Sequence, residues 1–375
     1  MKSLLVTAVA VASMAPCLWD SDTLDTELRG LPEAFDLVVG KWHRHSEAYY
    51  RDRVERLSAA AELSLAECDD LAVAYEHLGR RDDAVAVMAR KGDLLAAAPD
   101  AEHQYRYHAN LGTFHAHAGR FEQALAELRT AVSLNPDAHF GRENFQIELL
   151  EFVAAAKVDP QLWSRFSFLR HAGYRVRAHL GADGLRYAPD TSRDWSADWS
   201  GARELDWQKA YKAVAGMLRF GGREGPELYR CLAELFLAKQ HLNLAWWSLE
   251  RAIERGHRAA DLLRAGQRSI ERHWAEARKS QRTGPVAPTR AQVEDARARA
   301  DAWVAAFQRA EAAAIRRGDD VQGDLALKAL LQAADAATGE GDEGPGASSR
   351  GAWALGAGLA AGAILLLLRR VRRDR

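Results

Sequence analysis

The sequence predicts an all-α protein: a solenoid of stacked helix pairs with one irregular insertion, followed by one C-terminal transmembrane helix. Helix-forming alanine, leucine and arginine dominate the 375 residues, and β-branched residues are scarce. A pattern of small and apolar residues recurs at the length of a helix pair. A long uncharged run precedes the final arginines. With 48% hydrophobic residues, the chain is able to bury a substantial core.

The charge balance argues against a nucleic-acid partner. The chain has 51 basic and 52 acidic side chains, so its formal net charge is −1 at pH 7. No overall field therefore draws it to nucleic acid or to an anionic surface. The three cysteines, Cys17, Cys68 and Cys231, are too few and too dispersed for a disulfide framework.

The N-terminus has the layout of a secretory signal peptide, assigned to residues 1–16. Lys2 precedes an apolar stretch that is too short to span a bilayer, and small residues at Ala10 and Ala12 favour cleavage near Ala12. Cys17 leaves a lipoprotein reading open, although Pro16 stands where such cysteines normally follow glycine or alanine. We therefore expect export of the bulk of the chain.

The C-terminus predicts a single membrane span. Residues 351–368 carry no charge, and residues 369–375 form a basic tail. The apolar stretch just suffices to cross roughly 30 Å of hydrocarbon, and basic flanks stay on the cytoplasmic side. This orientation places the body of the chain on the periplasmic or extracellular side of a cell-envelope membrane. A cleaved bacterial sorting signal has a similar layout and remains the alternative.

The repeated pattern marks three helix pairs, which begin near Leu65, Tyr105 and Pro226. Small or apolar residues recur where the two helices of a pair cross, and the best-matched unit places them at Leu111, Gly112, His115, Ala124, Leu128, Ala131 and Pro136. This spacing is that of the 34-residue tetratricopeptide repeat (TPR). The first two pairs share a turn with glycine at Gly79 and Gly119, and the third has Gln240 there.

The remaining segments follow from breaks in this pattern. We assign N-terminal capping helices to 17–64, two TPR units and a following helix to 65–158, an irregular insertion to 159–206, a third TPR-like unit with further helices to 207–282, a helical stalk or hairpin to 289–338 and a flexible linker to 339–350. In the insertion, Trp195 and Trp199 either pin the segment to the core or offer a ligand surface.

No motif for catalysis, a cofactor or a metal is present in the sequence. It contains no phosphate-binding glycine loop, no nucleophile elbow, no His-Glu-x-x-His and no Cys-x-x-Cys. His115 and His117 lie two residues apart on a predicted helix, so they face different directions and do not form a metal pair. We expect neither an enzyme nor a bound cofactor. An envelope enzyme or assembly factor with its site in the insertion is the alternative.

Three further runs resemble a known family: Cys17 to Leu24, Asn110 to Phe114 and Asn135 to Glu143. They look like those of an uncharacterised family of bacterial envelope TPR proteins, and the similarity extends over about residues 17–256. The resemblance implies export and a helical-repeat fold, but it implies no catalytic residue.

Together these features predict a membrane-anchored scaffold or adaptor that holds an unidentified protein or peptide in a concave groove. The first helix of each pair is expected to line this groove. Its polar candidates are Glu76, Arg106, Asn110 and His117. A purely structural role with self-association is the third possibility.

Overall fold

The protein is predominantly helical, which confirms the coarse fold prediction. The structure, a computed structural model, describes residues 18, 33–136, 138–176, 178–181, 184–187, 202–221, 224–281 and 285–339. In addition to helices, these ranges contain a two-stranded antiparallel hairpin in the insertion, where Ala178 pairs with Tyr187 and Gly181 with Gly184, and an isolated bridge between Tyr174 and Arg203.

The N-terminal half is a succession of helices. From the second helix onward each packs on the next, whereas the first packs on the helices Leu242–Glu254 and Arg290–Arg317. Seven helices form it: α1 (Ala34–Val39), α2 (Glu47–Ser58), α3 (Leu65–His77), α4 (Arg81–Ala97), α5 (Ala101–His117), α6 (Phe121–Leu134) and α7 (Arg142–Val158). Local sequence fixes their starts. Ser64 and Glu67 form a reciprocal capping box on α3, and Asp100 caps α5.

The insertion contains two single-turn helices and the hairpin. They are α8 (Leu162–Arg165), α9 (Phe168–His171), β1 (Ala178–Gly181) and β2 (Gly184–Tyr187). Trp163 is buried edge-on against Phe152, and the Tyr174 hydroxyl donates to Glu148 at 3.0 Å. These aromatic residues hold the insertion against α7. The predicted ligand surface at Trp195 and Trp199 lies outside the described residues.

The second half of the chain contains further helix pairs and ends in two helices that pack on each other as a helical hairpin. Its helices are α10 (Trp207–Phe220), α11 (Pro226–Ala238), α12 (Leu242–Glu254), α13 (Ala260–Gln281), α14 (Arg290–Arg317) and α15 (Gly323–Thr338). The Trp303 indole donates to Asp335 at 2.7 Å and links α14 to α15. Glu311 of α14 accepts from His45 and from the Ser46 amide, both at 2.6 Å. Helix α14 therefore packs against the start of α2.

One turn geometry closes the first helix of three pairs. At Gly79 and Gly119 the backbone adopts φ of 75° and 76°, and the following amide donates to the carbonyl five residues earlier. This is the Schellman end of a helix. Gln240 has φ of 60° and the same hydrogen bond follows it, from His241 to Phe236. The third turn thus keeps the left-handed geometry without a glycine.

Small residues allow the helices to approach at the predicted crossing points. A Cβ added to Gly112 would lie 2.7 Å from Leu128 Cγ and 3.2 Å from the Ala124 carbonyl oxygen. Ala72, its equivalent in the first pair, is fully buried. The sequence pattern therefore corresponds to close contact between backbones.

The predicted membrane elements belong to the two ends of the chain. Among the residues that the structure describes, no helix combines the length and apolarity needed to cross a bilayer. The predicted signal peptide at 1–16, the linker from residue 340, the span at 351–368 and the tail at 369–375 all lie outside those residues.

Candidate functional site

The predicted groove residues lie on α3 and α5, the first helices of the first two pairs, and these helices pack side by side. Glu76, Asn110 and His117 are buried, and Arg106 is half-buried. The structure brings these residues together in two polar clusters rather than along one open surface.

The first cluster is centred on a buried ion pair between α3 and α4. Lys91 Nζ lies 2.6 Å from both carboxylate oxygens of Asp69, and the Asn110 side chain donates to Asp69 at 3.1 Å. All three residues are at most 1% exposed. Burial lowers the pKa of Lys91, while Asp69 acts in the opposite direction. Asn110 therefore serves as a link between helices, and its amide does not face an open groove.

The second cluster joins the final turns of α3 and α5. His117 Nδ1 lies 2.8 Å from Glu76 Oε1, and Arg81 Nε lies 3.5 Å from the same oxygen. Because a carboxylate only accepts, Nδ1 carries the proton. Glu76 Oε2 and His117 Nε2 are buried and have no hydrogen-bond partner within the described residues. One carboxylate oxygen of Glu76 and one ring nitrogen of His117 are therefore buried without a hydrogen-bond partner among the described residues.

Arg106 is the predicted groove residue with the most accessible side chain. Its Nε donates to Glu102 Oε1 at 3.0 Å, one turn earlier on α5, and 17% of its side chain is exposed. A surface pair of this kind contributes little stability, so Arg106 is able to change partner. In the interior between α5 and α7, the Gln146 side chain donates to Thr113 at 3.1 Å.

An apolar cluster lies between these polar groups, and no function was predicted for it from the sequence. We call it the anchor cluster, and it consists of Ala72, Val73, Ala84, Met88, Leu111 and Phe114 from α3, α4 and α5. Tyr75, Val87 and Tyr107 border it. The signal was present in the sequence as apolar residues on the first helices, but periodicity alone assigned them to the core.

A residue from a distant part of the chain completes the anchor cluster. Leu18 is 2% exposed and packs within the cluster. Its backbone amide also donates to the carbonyl oxygen of Phe220, the last residue of α10, at 3.2 Å. A leucine side chain with a paired backbone amide is therefore seated between the first helix pairs and the end of α10.

A second site missed from the sequence surrounds Glu224, just before α11. Its carboxylate accepts from Arg44 at 2.7 Å, from Arg251 and Arg255 at 2.8 Å, and from the Tyr229 hydroxyl at 2.9 Å. Burial alone would raise the pKa of Glu224, but the three guanidinium groups more than offset it and the pKa is lowered. This cluster ties the loop before α2 to α12.

The buried polar network on α11 has the residue types of a catalytic site but not the chemistry. Glu227 accepts from the Phe168 amide at 2.8 Å and from His257 Nε2 at 2.9 Å. The Ala259 amide donates to His257 Nδ1 at 3.0 Å, so Nε2 carries the proton. Burial raises the pKa of the adjacent Cys231 thiol well above its ordinary value. A thiolate nucleophile is therefore disfavoured.

Three of the four histidines of α5, His103, His108 and His117, lie near a carboxylate, and the fourth, His115, accepts from Arg120 Nε at 3.0 Å. His108 Nδ1 lies 2.7 Å from Glu127, and His103 Nδ1 lies 3.7 Å from Asp69. Within the described part of the chain, no three His, Cys, Asp or Glu side chains are grouped as metal ligands.

Comparisons of the chain with protein-family models, with curated proteins and with solved structures return no match. The functional argument therefore rests on the surface formed by α3 and α5.

Proposed function

We propose that this chain is a membrane-anchored TPR scaffold or adaptor that binds a protein or peptide segment at the cell envelope. The observation that carries the proposal is the anchor cluster. Apolar side chains of α3, α4 and α5 form this cluster together with Leu18, a residue from outside the helix pairs. Covering an apolar surface with a short segment is how helical-repeat grooves hold peptides.

The TPR assignment is supported by the shared turns and close crossings. The left-handed residue after the first helix occurs at Gly79, Gly119 and Gln240. Gly112 and Ala72 occupy equivalent positions in their pairs. A Cβ added to Gly112 would meet the second helix, and Ala72 is fully buried. Three pairs are the minimum at which stacked repeats bury a continuous core.

The groove that we propose has an apolar centre and a polar end. Glu76 and His117 lie three residues beyond Val73 and Phe114 on their respective helices, so they share a helix face with the anchor cluster. Their uncommitted atoms are suited to a hydrogen-bond donor on the bound segment. Arg106 adds a positive charge at the other end of α5. A partner with an aliphatic side chain and a nearby carboxylate fits this arrangement.

The proposed location rests on the sequence of the two ends. Export by residues 1–16 and retention by residues 351–368 would hold the helical body at the outer side of a membrane. Deleting residues 351–375 tests this directly. We expect the shortened protein to leave the membrane fraction and to appear in the soluble envelope or medium fraction. If it stays with the membrane, the C-terminal anchor is not what holds the protein.

The binding role is tested by crosslinking and affinity capture of the full-length protein from its own membrane. We compare wild type with Arg106→Glu on α5 and with a matched control, Arg129→Glu on α6, where 59% of the side chain is exposed. We expect one defined partner to be lost from the Arg106 variant and retained by the control. Loss from both variants, or from neither, would remove the support for this groove. Recovery of the protein alone would favour self-assembly.

A further inference from the structure

The cluster around Glu224 contains more positive than negative charge. It has four guanidinium groups, which we call the arginine cluster: Arg44, Arg251, Arg255 and Arg297. Within the described part of the chain, these groups contact two carboxylates, because Arg297 Nε donates to Glu254 at 2.9 Å and Arg251 Nη1 donates to it at 3.4 Å. Burial lowers the pKa of Arg44, Glu224 opposes this, and the charges of Arg251 and Arg255 lower it further. The cluster therefore lacks negative charge.

Hydrogen-bond donors also exceed acceptors in the arginine cluster. Arg251 Nε, Arg297 Nη2 and the indole nitrogens of Trp42 and Trp247 are buried, and none has a hydrogen-bond partner among the residues described. Arg44 Cζ lies 3.9 Å from the Trp42 ring centroid, and Arg297 Cζ lies 5.9 Å from that of Trp247. Arginine and tryptophan side chains donate but do not accept. An added acceptor is therefore favourable, since unpaired buried donors are costly.

Two of the arginines form an edge of the cluster that is open to solvent. The side chains of Arg44 and Arg255 are 31% and 40% exposed, whereas that of Arg251 is 8% exposed. Arg44 Nη2 contacts Glu224 Oε1, and Arg255 Nη2 contacts Glu224 Oε2. Arg44 Nη2 also donates to Gly40 O at 3.1 Å, and the remaining N–H groups of the two guanidinium groups have no partner in the described ranges. These N–H groups are available to a ligand.

We propose that the open edge formed by Arg44 and Arg255 binds a phosphate group. Guanidinium groups match phosphate oxygens in geometry, and a phosphate dianion supplies both the acceptors and the negative charge that the cluster lacks. Glu224 keeps the two guanidinium groups next to each other, and the Trp42 ring supports that of Arg44. A soluble phosphate compound and a lipid head group share this chemistry. The inference is independent of the groove on α3 and α5.

The test measures phosphate binding to the full-length protein in neutral detergent by isothermal titration calorimetry. Inorganic phosphate is added at constant ionic strength, maintained with chloride, so that general screening of charge does not change. The variants are Arg44→Gln and Arg255→Gln. The matched control is Arg264→Gln on α13, where the side chain is 51% exposed and pairs with Asp261. Circular dichroism confirms that each protein is folded.

We expect wild type and the control to bind phosphate with equal affinity. Each cluster variant should bind it about tenfold or more weakly, because a charge-assisted hydrogen bond is lost. If Arg44→Gln does not fold, Arg255→Gln decides the question, since the Arg255 side chain is the more exposed of the two. The absence of phosphate binding to wild type, or equal affinity in all of the proteins, overturns the inference.

Two short-chain lipids distinguish the source of the phosphate group. Dihexanoyl phosphatidic acid carries a terminal phosphate, whereas in dihexanoyl phosphatidylcholine a choline cation covers it. Tighter binding of the phosphatidic acid than of inorganic phosphate, with no binding of the phosphatidylcholine, assigns the site to a lipid head group. Weaker or equal binding of the phosphatidic acid assigns it to a soluble phosphate compound. Equal binding of both lipids, without binding of inorganic phosphate, contradicts a phosphate site.

Discussion

The turn at Gln240 keeps the backbone geometry of the two glycine turns without a glycine, so a single substitution tests whether the three turns are equivalent. Gln240 has φ of 60° at the position where the other two pairs have glycine. Side chains with a Cβ are strained in this conformation because the Cβ approaches the following carbonyl oxygen. The Gln240 side chain is exposed, so its removal leaves no cavity. We expect Gln240→Gly to stabilise the protein.

The magnitude follows from two opposing terms. The left-handed conformation costs a residue with a Cβ roughly 1–2 kcal/mol. Glycine loses more backbone entropy on folding, which offsets roughly 0.5–1 kcal/mol of that gain. The free energy of unfolding should therefore rise by about 0.5–1 kcal/mol, and the midpoint temperature by roughly 1–3 °C.

The assay is urea unfolding of the full-length protein in detergent, followed by far-ultraviolet circular dichroism. The matched control is the reverse change, Gly119→Gln, at a turn where an added Cβ meets nothing within 4 Å. We expect the control to lose about as much stability as Gln240→Gly gains. If Gln240→Gly lowers the midpoint, the three turns are not equivalent and the reasoning that relates the three pairs is wrong.

Three further predictions concern packing, charge and pH. Gly112→Ala should destabilise the protein by about 1–3 kcal/mol, since the new Cβ would lie 2.7 Å from Leu128 Cγ; thermal unfolding measures this, and an unchanged midpoint would contradict the close crossing. Glu224→Gln should cost about 3 kcal/mol in urea unfolding because three guanidinium groups lose their counter-charge, and a neutral result would show that the cluster does not hold the loop before α2. Burial lowers the pKa of His257, although Glu227 opposes this. The unfolded chain therefore takes up the proton first, and stability is lost as pH falls below about 6.5. Urea midpoints at about pH 7.5 and pH 5.5 should differ less in His257→Gln than in wild type, and an equal difference would refute this role.

The sequence predicted the local parts of the fold well, because they depend on neighbouring residues. The glycine turns at Gly79 and Gly119 and the close crossing at Gly112 follow from steric limits that short patterns encode. The return of α14 to α2 could not be predicted in this way. His45 and Glu311 are 266 residues apart, and no periodicity relates them.

The groove was predicted less well, because a helical pattern identifies which residues share a face but not which neighbour that face meets. Asn110 was assigned to the groove as a polar residue of α5, yet it lies against the Asp69 and Lys91 ion pair. Leu18 was assigned only to the capping helices 17–64 and to the run Cys17 to Leu24 that carries the family resemblance. Its position in the anchor cluster depends on tertiary contacts to α3, α5 and α10.

Site-specific photocrosslinking at Tyr107 tests the central claim most directly. Tyr107 borders the anchor cluster, and p-benzoylphenylalanine keeps the aromatic ring and places a photoreactive benzoyl group at its para position. The control position is Leu134 at the end of α6, which is 44% exposed. In the full-length protein in its own membrane, we predict an adduct with one defined partner from position 107 only. Equal adducts from both positions, or adducts only between copies of the chain, would contradict a peptide-binding groove on α3 and α5.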